Sequence, residues 1–277
     1  MSGWRLTLRQ APTLTCDARA LQPAALAGLT AEAVAHLALP HGNDTLPLGE
    51  LFTIEPLPDA GTAGAVRLEL QGDLSRFDRL GWAMGEGELH IDGNVGHQAG
   101  GGMSGGRLHI TGSAGDLTGC ALRGGWLEVL GSTGDLAASA LPGDMDGMSG
   151  GTFVVRGNAG ARLGDRMRRG TLVVFGDAGD FPASRMVAGT LALGGRCGAH
   201  PAYGMRRGSV VFAGPQPLPG LTFTPVHSNA AVFWQLLARD LAQFGGPFAG
   251  LAGRPVTRHA GDLAVQGRGE LLFPVQD

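Results

Sequence analysis

His90, His109 and Glu128 stand nineteen residues apart along a chain of 277 residues. Imidazole and carboxylate groups ligate transition metals and move protons near neutral pH, so the shared spacing raises the question of a shared site. Arg123, Arg168 and Arg206 form a second set, flanked by Arg166, Arg169 and Arg207. The planar guanidinium binds carboxylates through two parallel hydrogen bonds, which suits ion pairing to a neighbouring subunit as well as plain solvation. Asp144 and Asp146, within "DLAASALPGDMDG", are too sparse for a calcium loop and read as a polar loop tip. Cys16, Cys120 and Cys197 lie far apart without CxxC spacing, the pattern of reduced thiols and not of a disulfide framework or zinc site. No nucleophile–base–acid set, P-loop or metal-ligand spacing is present, so no catalytic and no metal-binding residue is assigned.

The elements that position these side chains are written in glycine. Gly makes up 49 of the 277 residues, far above the usual share of about 7%, and it is periodic. Gly87, Gly106, Gly125, Gly151, Gly170, Gly189 and Gly208 are separated by steps of 19 with a single step of 26, and six residues after each stands another Gly. Three residues before each stands Met, except at Leu122. The five residues between the paired glycines carry apolar side chains at their second and fourth positions, from Leu89/Ile91 through Leu172/Val174 to Val210/Phe212. Strand side chains alternate faces, so these pairs point inward. A short strand with glycine corners every nineteen residues predicts an all-β, right-handed parallel β-helix whose coils stack to bury a common core. The Met row is assigned to that core, and seven extra residues between Gly134 and Met148 leave it as a loop.

On such a stack His90, His109 and Glu128 occupy one outward row at the strand spacing of about 4.8 Å. A flat row does not surround an ion, so it is read as a polar row. The same position continues as Val154, Val173, Ala192 and Val211, with Phe175 nearby. That apolar patch requires a cover, either a C-terminal helix or a partner subunit. Arg123, Arg168 and Arg206 each follow the Met position and fall along one edge, those on alternate coils about 10 Å apart.

Three segments are expected. Residues 1–65 form a small α/β cap with a strand at "WRLTL" and a helix at "TAEAVAHLAL" capped by Thr30. Residues 66–214 form the β-helix, beginning with a degenerate coil at "VRLELQGDLSRF". Residues 215–277 form a helix and strand cap, its helix carrying Phe233, Leu236, Leu237, Leu241 and Phe244, and its strand pair lying in "GDLAVQGRGELLF". A net charge of −3 with 16% charged residues argues against nucleic-acid binding. No apolar run approaches the roughly 20 residues that span a bilayer, and "MSGWRLTLRQ" lacks a secretory core, so a cytoplasmic location is expected. All 21 basic residues are Arg, a composition that leans towards a GC-rich bacterial source.

The M-x-x-G and G-x-x-G string on a nineteen-residue period resembles the glycine-repeat β-helix of the formylmethanofuran dehydrogenase C subunits, a module also found in the large glutamate synthase subunit. The resemblance covers residues 72–214, and "RHAGDLAVQGRGELL" at 258–272 is similar to the end of stand-alone C subunits. It implies a non-catalytic member of a hetero-oligomer that binds no cofactor of its own. The preferred setting is the bacterial formyltransferase/hydrolase complex, with amidohydrolase-like and formyltransferase-like partners. There a formyl group passes from tetrahydromethanopterin to a methanofuran-type carrier and leaves as formate. The alternatives are a molybdenum or tungsten formylmethanofuran dehydrogenase and a glutamate-synthase-related domain. Because methanofuran-type carriers have glutamate-rich tails, the resemblance adds an acidic carrier to the possible contacts of Arg123, Arg168, Arg169, Arg206 and Arg207.

Overall fold

The computed structural model describes residues 3–58, 66–227 and 231–275; the expected boundary at residue 65 and the first three residues of "SNAAVFW" lie outside them. The fold is mostly β, with few helices. Each strand of the glycine repeat pairs in parallel with the next, from Glu88–Asp92 through Ser104–Ile110, Gly124–Val129, Ser149–Val155, Arg169–Val174 and Thr190–Leu193 to Ser209–Phe212. The register follows the repeat, with Leu108 opposite Leu127 and Leu172 opposite Leu191. A second row of parallel bridges runs Leu74–Val95–Ala114–Thr133–Ala159–Ala178–Cys197 through the same repeats. Between the two rows lies the core. Leu89, Leu108, Leu127, Phe153, Leu172, Leu191 and Val210 are all buried there, and so is every Met of the repeat row.

Two kinds of glycine allow this stacking. Gly170 has φ +96°, a left-handed conformation that costs a side chain energy and glycine none. Gly195 has no unusual φ but no room, since a Cβ there would lie 2.4 Å from the backbone of Gly176 one repeat earlier. Left-handed backbone is not confined to glycine. Leu117, Leu136, Arg162, Phe181 and His200 adopt φ of 56–61° at matching places in successive repeats.

The parallel sheet runs past both ends of the repeat. Arg67–Gln71 pairs with Glu88–Asp92 as the degenerate first repeat, and Gly3–Leu8 continues the sheet in parallel beyond it. Phe52–Pro56 closes that edge in antiparallel fashion. At the other end Gly269–Pro274 adds in parallel to Ser209–Phe212, followed by Val256–Gly261 and Thr224–Val226. Thr30 caps its helix as expected, its side chain accepting from the Ala33 N–H at 3.2 Å, but the helix ends at His36. Of the "LAL" that follows, Leu37 is the helix C-cap, and Ala38 and Leu39 belong to strand Ala38–His41, which pairs with Asp44–Pro47.

Two expectations at the C-terminus are corrected. The strand partner of Gly269–Pro274 is Val256–Gly261, while Leu263–Val265 is a 3-10 turn begun by the Asp262 carboxylate accepting from the Ala264 N–H. In the helix Ala231–Ala242 the face turned to the sheet is Trp234, Ala238 and Leu241, whereas Phe233 and Leu236 point to solvent. Apolar residues on both sides of this helix left its buried face ambiguous; small Ala238 lets the backbone approach, and the Trp234 indole donates to the Arg254 carbonyl at 2.7 Å.

Candidate interaction site

The outward row changes character halfway along the sheet. His90 and His109 stack with ring centroids 4.9 Å apart, and His109 Nδ1 lies 3.4 Å from Glu128. The row extends to Glu69, which is opposite His90 and paired with Arg5 at 2.8 Å and Arg67 at 2.8 Å. Burial first, and then the charge of His109, hold His90 below the ordinary imidazole value. Among the described residues no group of three or more His, Cys, Asp or Glu is placed to hold a metal ion. Arg156 marks the transition, bonded to Glu128 at 2.8 Å with its guanidinium 4.4 Å over the Phe175 ring. Beyond it Val154, Val173, Ala192 and Val211 are fully buried under Trp234, Ala238, Leu241, Phe244 and Phe248. The chain's own helix covers the apolar patch.

Along another edge, polar side chains tie repeat to repeat. Asn94, Ser113, Ser132, Asn158 and Asp177 each accept from the backbone N–H of the equivalent residue one repeat later, at 2.7–3.1 Å. A second ladder uses Asp78, His97, Asp116, Asp135 and Asp180. Neither ladder was anticipated, although, Asp78 apart, each member stands in the sequence as a polar residue directly after a repeat glycine. Each bond spans 19 or 26 residues, from one repeat to the next, so these groups serve the stack.

The arginines divide. Arg168, Arg169, Arg206 and Arg207 line one cavity of about 580 Å3 with Ser149, Val187 and Ala188. Their places are set by backbone bonds from the Arg168, Val187 and Arg206 N–H groups to the carbonyls of Met148, Met167 and Met186. Arg123 is not among them. It lines a separate groove with Asp144, Met145 and Asp146 from the inserted loop. That loop is fastened to the next repeat: Ala140 and Gly147 N–H donate to the carbonyls of Asp165 and Arg166, and Arg166 donates to the Asp144 carbonyl at 2.9 Å. Asp146 pairs with Arg168. Behind it the buried Asp165 carboxylate is met by Ser184 Oγ at 2.5 Å and Arg185 at 2.5 Å. A second groove of about 380 Å3 opens between Met145, Arg166, Arg168, Tyr203, Arg206 and Val265. Tyr203, Met145 and Val265 were absent from the sequence-derived set, because they come from a repeat corner, the inserted loop and the C-terminal turn, which no spacing connects.

Residues 67–217 match the family model described as the GXGXG motif. The C subunit of tungsten-containing formylmethanofuran dehydrogenase 2 from Methanothermobacter thermautotrophicus is 32% identical over 100 residues, 36% of this chain and 37% of that protein. The C subunit of molybdenum-containing formylmethanofuran dehydrogenase 1 from the same organism is 33% identical over 84 residues, 30% of this chain and 20% of that protein. The matched segments thus span about a third or less of those relatives' lengths. A chain in the crystal structure of the formyltransferase/hydrolase complex (FhcABCD) from Methylorubrum extorquens with methylofuran superposes with a TM-score of 0.89. It is 38% identical, over 98% of this chain and 100% of that one. The chain therefore belongs to the GXGXG-motif family, as a homologue of the formylmethanofuran dehydrogenase C subunits.

Proposed function

We propose that this chain is the non-catalytic structural subunit of a formyltransferase/hydrolase complex. Such a complex passes a formyl group between tetrahydromethanopterin and a methanofuran-type carrier and releases formate in one-carbon oxidation. The observation that carries the reading is the end-to-end correspondence with a chain of such a complex, 38% identical over 98% of this chain. Fold likeness alone would be compatible with many functions; identity along both whole chains supports the same place in the same kind of assembly. The partial likeness to tungsten and molybdenum enzymes supports a second setting, formylmethanofuran dehydrogenase, over about a third of the chain. We read the strand row and bridge row as faces of one right-handed parallel β-helix of about nineteen residues per coil, consistent with the handedness of parallel crossovers, with residues 1–65 and 215–277 as caps. The partners are amidohydrolase-like and formyltransferase-like subunits. Among the described residues no helix is long and apolar enough to cross a membrane. The three cysteines are free, and unpaired thiols without a disulfide framework support a reducing compartment, the cytoplasm.

The carrier would supply the formyl-accepting group, and this chain's arginines would meet either its acidic tail or the carboxylates of a partner subunit. Four guanidinium groups around the cavity of Arg168, Arg169, Arg206 and Arg207 fit carboxylates; Arg123, beside Asp144 and Asp146, fits them less well. The test is turnover and composition together. The purified chain alone should neither transfer nor hydrolyse formyl groups, while the co-expressed complex should do both. Replacing Arg123, Arg168 and Arg206 with Gln should lower carrier content in an intact complex if they hold the tail, or loosen assembly if they meet a partner's carboxylates. Turnover by the chain alone refutes the non-catalytic role. An intact complex with normal carrier refutes both arginine roles.

A further inference from the structure

The groove between Met145, Tyr203 and Val265 has a composition that the acidic-tail reading does not use. These three side chains are 71%, 60% and 43% exposed, and they come from three separate segments to surround Arg166, Arg168 and Arg206. Tyr, Met and Arg are the residue types enriched at protein interfaces. A purely carboxylate ligand would leave the apolar walls wet; a purely apolar one would strand the cations.

The carboxylates in and beside the groove leave one of its cations, Arg206, without an ion pair and hold another, Arg168, only at the surface. Asp165 is met by Ser184, by Arg185, which also lines the groove, and by Arg166 at 4.0 Å. Asp262 is buried, and although that burial pushes its carboxyl upward, hydrogen bonds from Thr222 and from the Gly204 and Ala264 N–H groups bring it below the usual range. Arg168 meets Asp146, each side chain about half exposed at 50% and 52%. Exposed pairs of this kind are weak and exchangeable. Arg206 has no ion pair among the described residues. We propose that this groove docks a partner-subunit segment bearing carboxylates beside an aromatic or aliphatic side chain, and that Asp146 occupies Arg168 until the partner's carboxylate replaces it. The proposal rests on the multi-subunit reading above.

Hydroxyl-radical footprinting of the free chain and of the co-expressed complex tests it. Met145 and Tyr203, the chain's single tyrosine, should be oxidised readily in the free chain. In the complex both should fall to the level of buried Met84, and stay there after the carrier has been stripped. Tyr203→Ala should speed release of the subunit about tenfold, and Asp146→Asn should slow it by removing the internal competitor. Both positions are exposed, so neither variant threatens the fold. An assembled complex in which Met145 and Tyr203 stay reactive, or are protected only while carrier is bound, overturns the docking site. Release from Asp146→Asn that is unchanged or faster overturns the exchange at Arg168. Failure of any complex to form is a different result, and it removes the proposed function itself.

Discussion

Gly195→Ala adds a side chain where two repeats already touch. The new methyl carbon would lie 2.4 Å from the carbonyl carbon and oxygen of Gly176 and 2.5 Å from Asp177 Oδ1. Ordinary contact begins near 3.4 Å, so neighbouring repeats must part by roughly 1 Å on a spacing of about 4.8 Å. Two hydrogen bonds span that gap, from Gly195 N–H to Gly176 at 3.0 Å and from Arg196 N–H to Asp177 at 2.7 Å. Their loss costs about 1 kcal/mol each, and forced overpacking adds about 1–3 kcal/mol, for a total of about 3–5 kcal/mol. Gly253→Ala is the control, because a Cβ there meets nothing within 4 Å; it should be neutral or stabilise by up to about 1 kcal/mol. Urea unfolding of both variants, with amide exchange followed at Gly195 and Arg196, measures the difference. A Gly195→Ala variant within about 1 kcal/mol of wild type would refute the claim that glycine is present there for room.

Leu172→Ala removes a fully buried side chain between Phe153 and Leu191 and should cost about 2–5 kcal/mol by urea titration. Val173→Ala, one residue on and facing outward beneath the helix, should cost about 1–2 kcal/mol; a neutral result there would mean the helix does not cover the sheet. Asp135→Ala deletes the bond from the Ala161 N–H at 2.8 Å and should cost about 0.5–1.5 kcal/mol, while Asp135→Asn keeps the acceptor and most of the stability. For His90, whose folded pKa lies below its unfolded value near 6.5, the unfolded chain takes up the proton first. Its contribution is therefore complete above about pH 6.5 and is lost as pH falls through the folded pKa. Thermal melts from pH 8 to 5 should fall less steeply for His90→Gln than for wild type.

Periodicity carried most of the architecture because a stacked repeat makes local pattern and tertiary neighbour the same thing. A residue nineteen positions on is the residue alongside, so Leu89, Leu108 and Leu127 could be placed in one buried row, and His90, His109 and Glu128 in one outward row. The polar ladders obey the same logic, and Asn94 and Asp116 announce themselves by their place after a glycine. Where the period stops, so does its power. The burial of Trp234 in place of Phe233 depended on which helix face met Val173 and Val211. The parallel pairing of Gly3–Leu8 with Arg67–Gln71 joins segments some sixty residues apart that share no repeat. The separation of Arg123 from Arg168 and Arg206 was decided by the inserted loop, which sets Asp144 and Asp146 beside Arg123 and pairs Asp146 with Arg168. The row itself is written in the sequence, but where an inserted loop lies upon it depends on contacts between segments without common spacing, and only the tertiary structure brings those together.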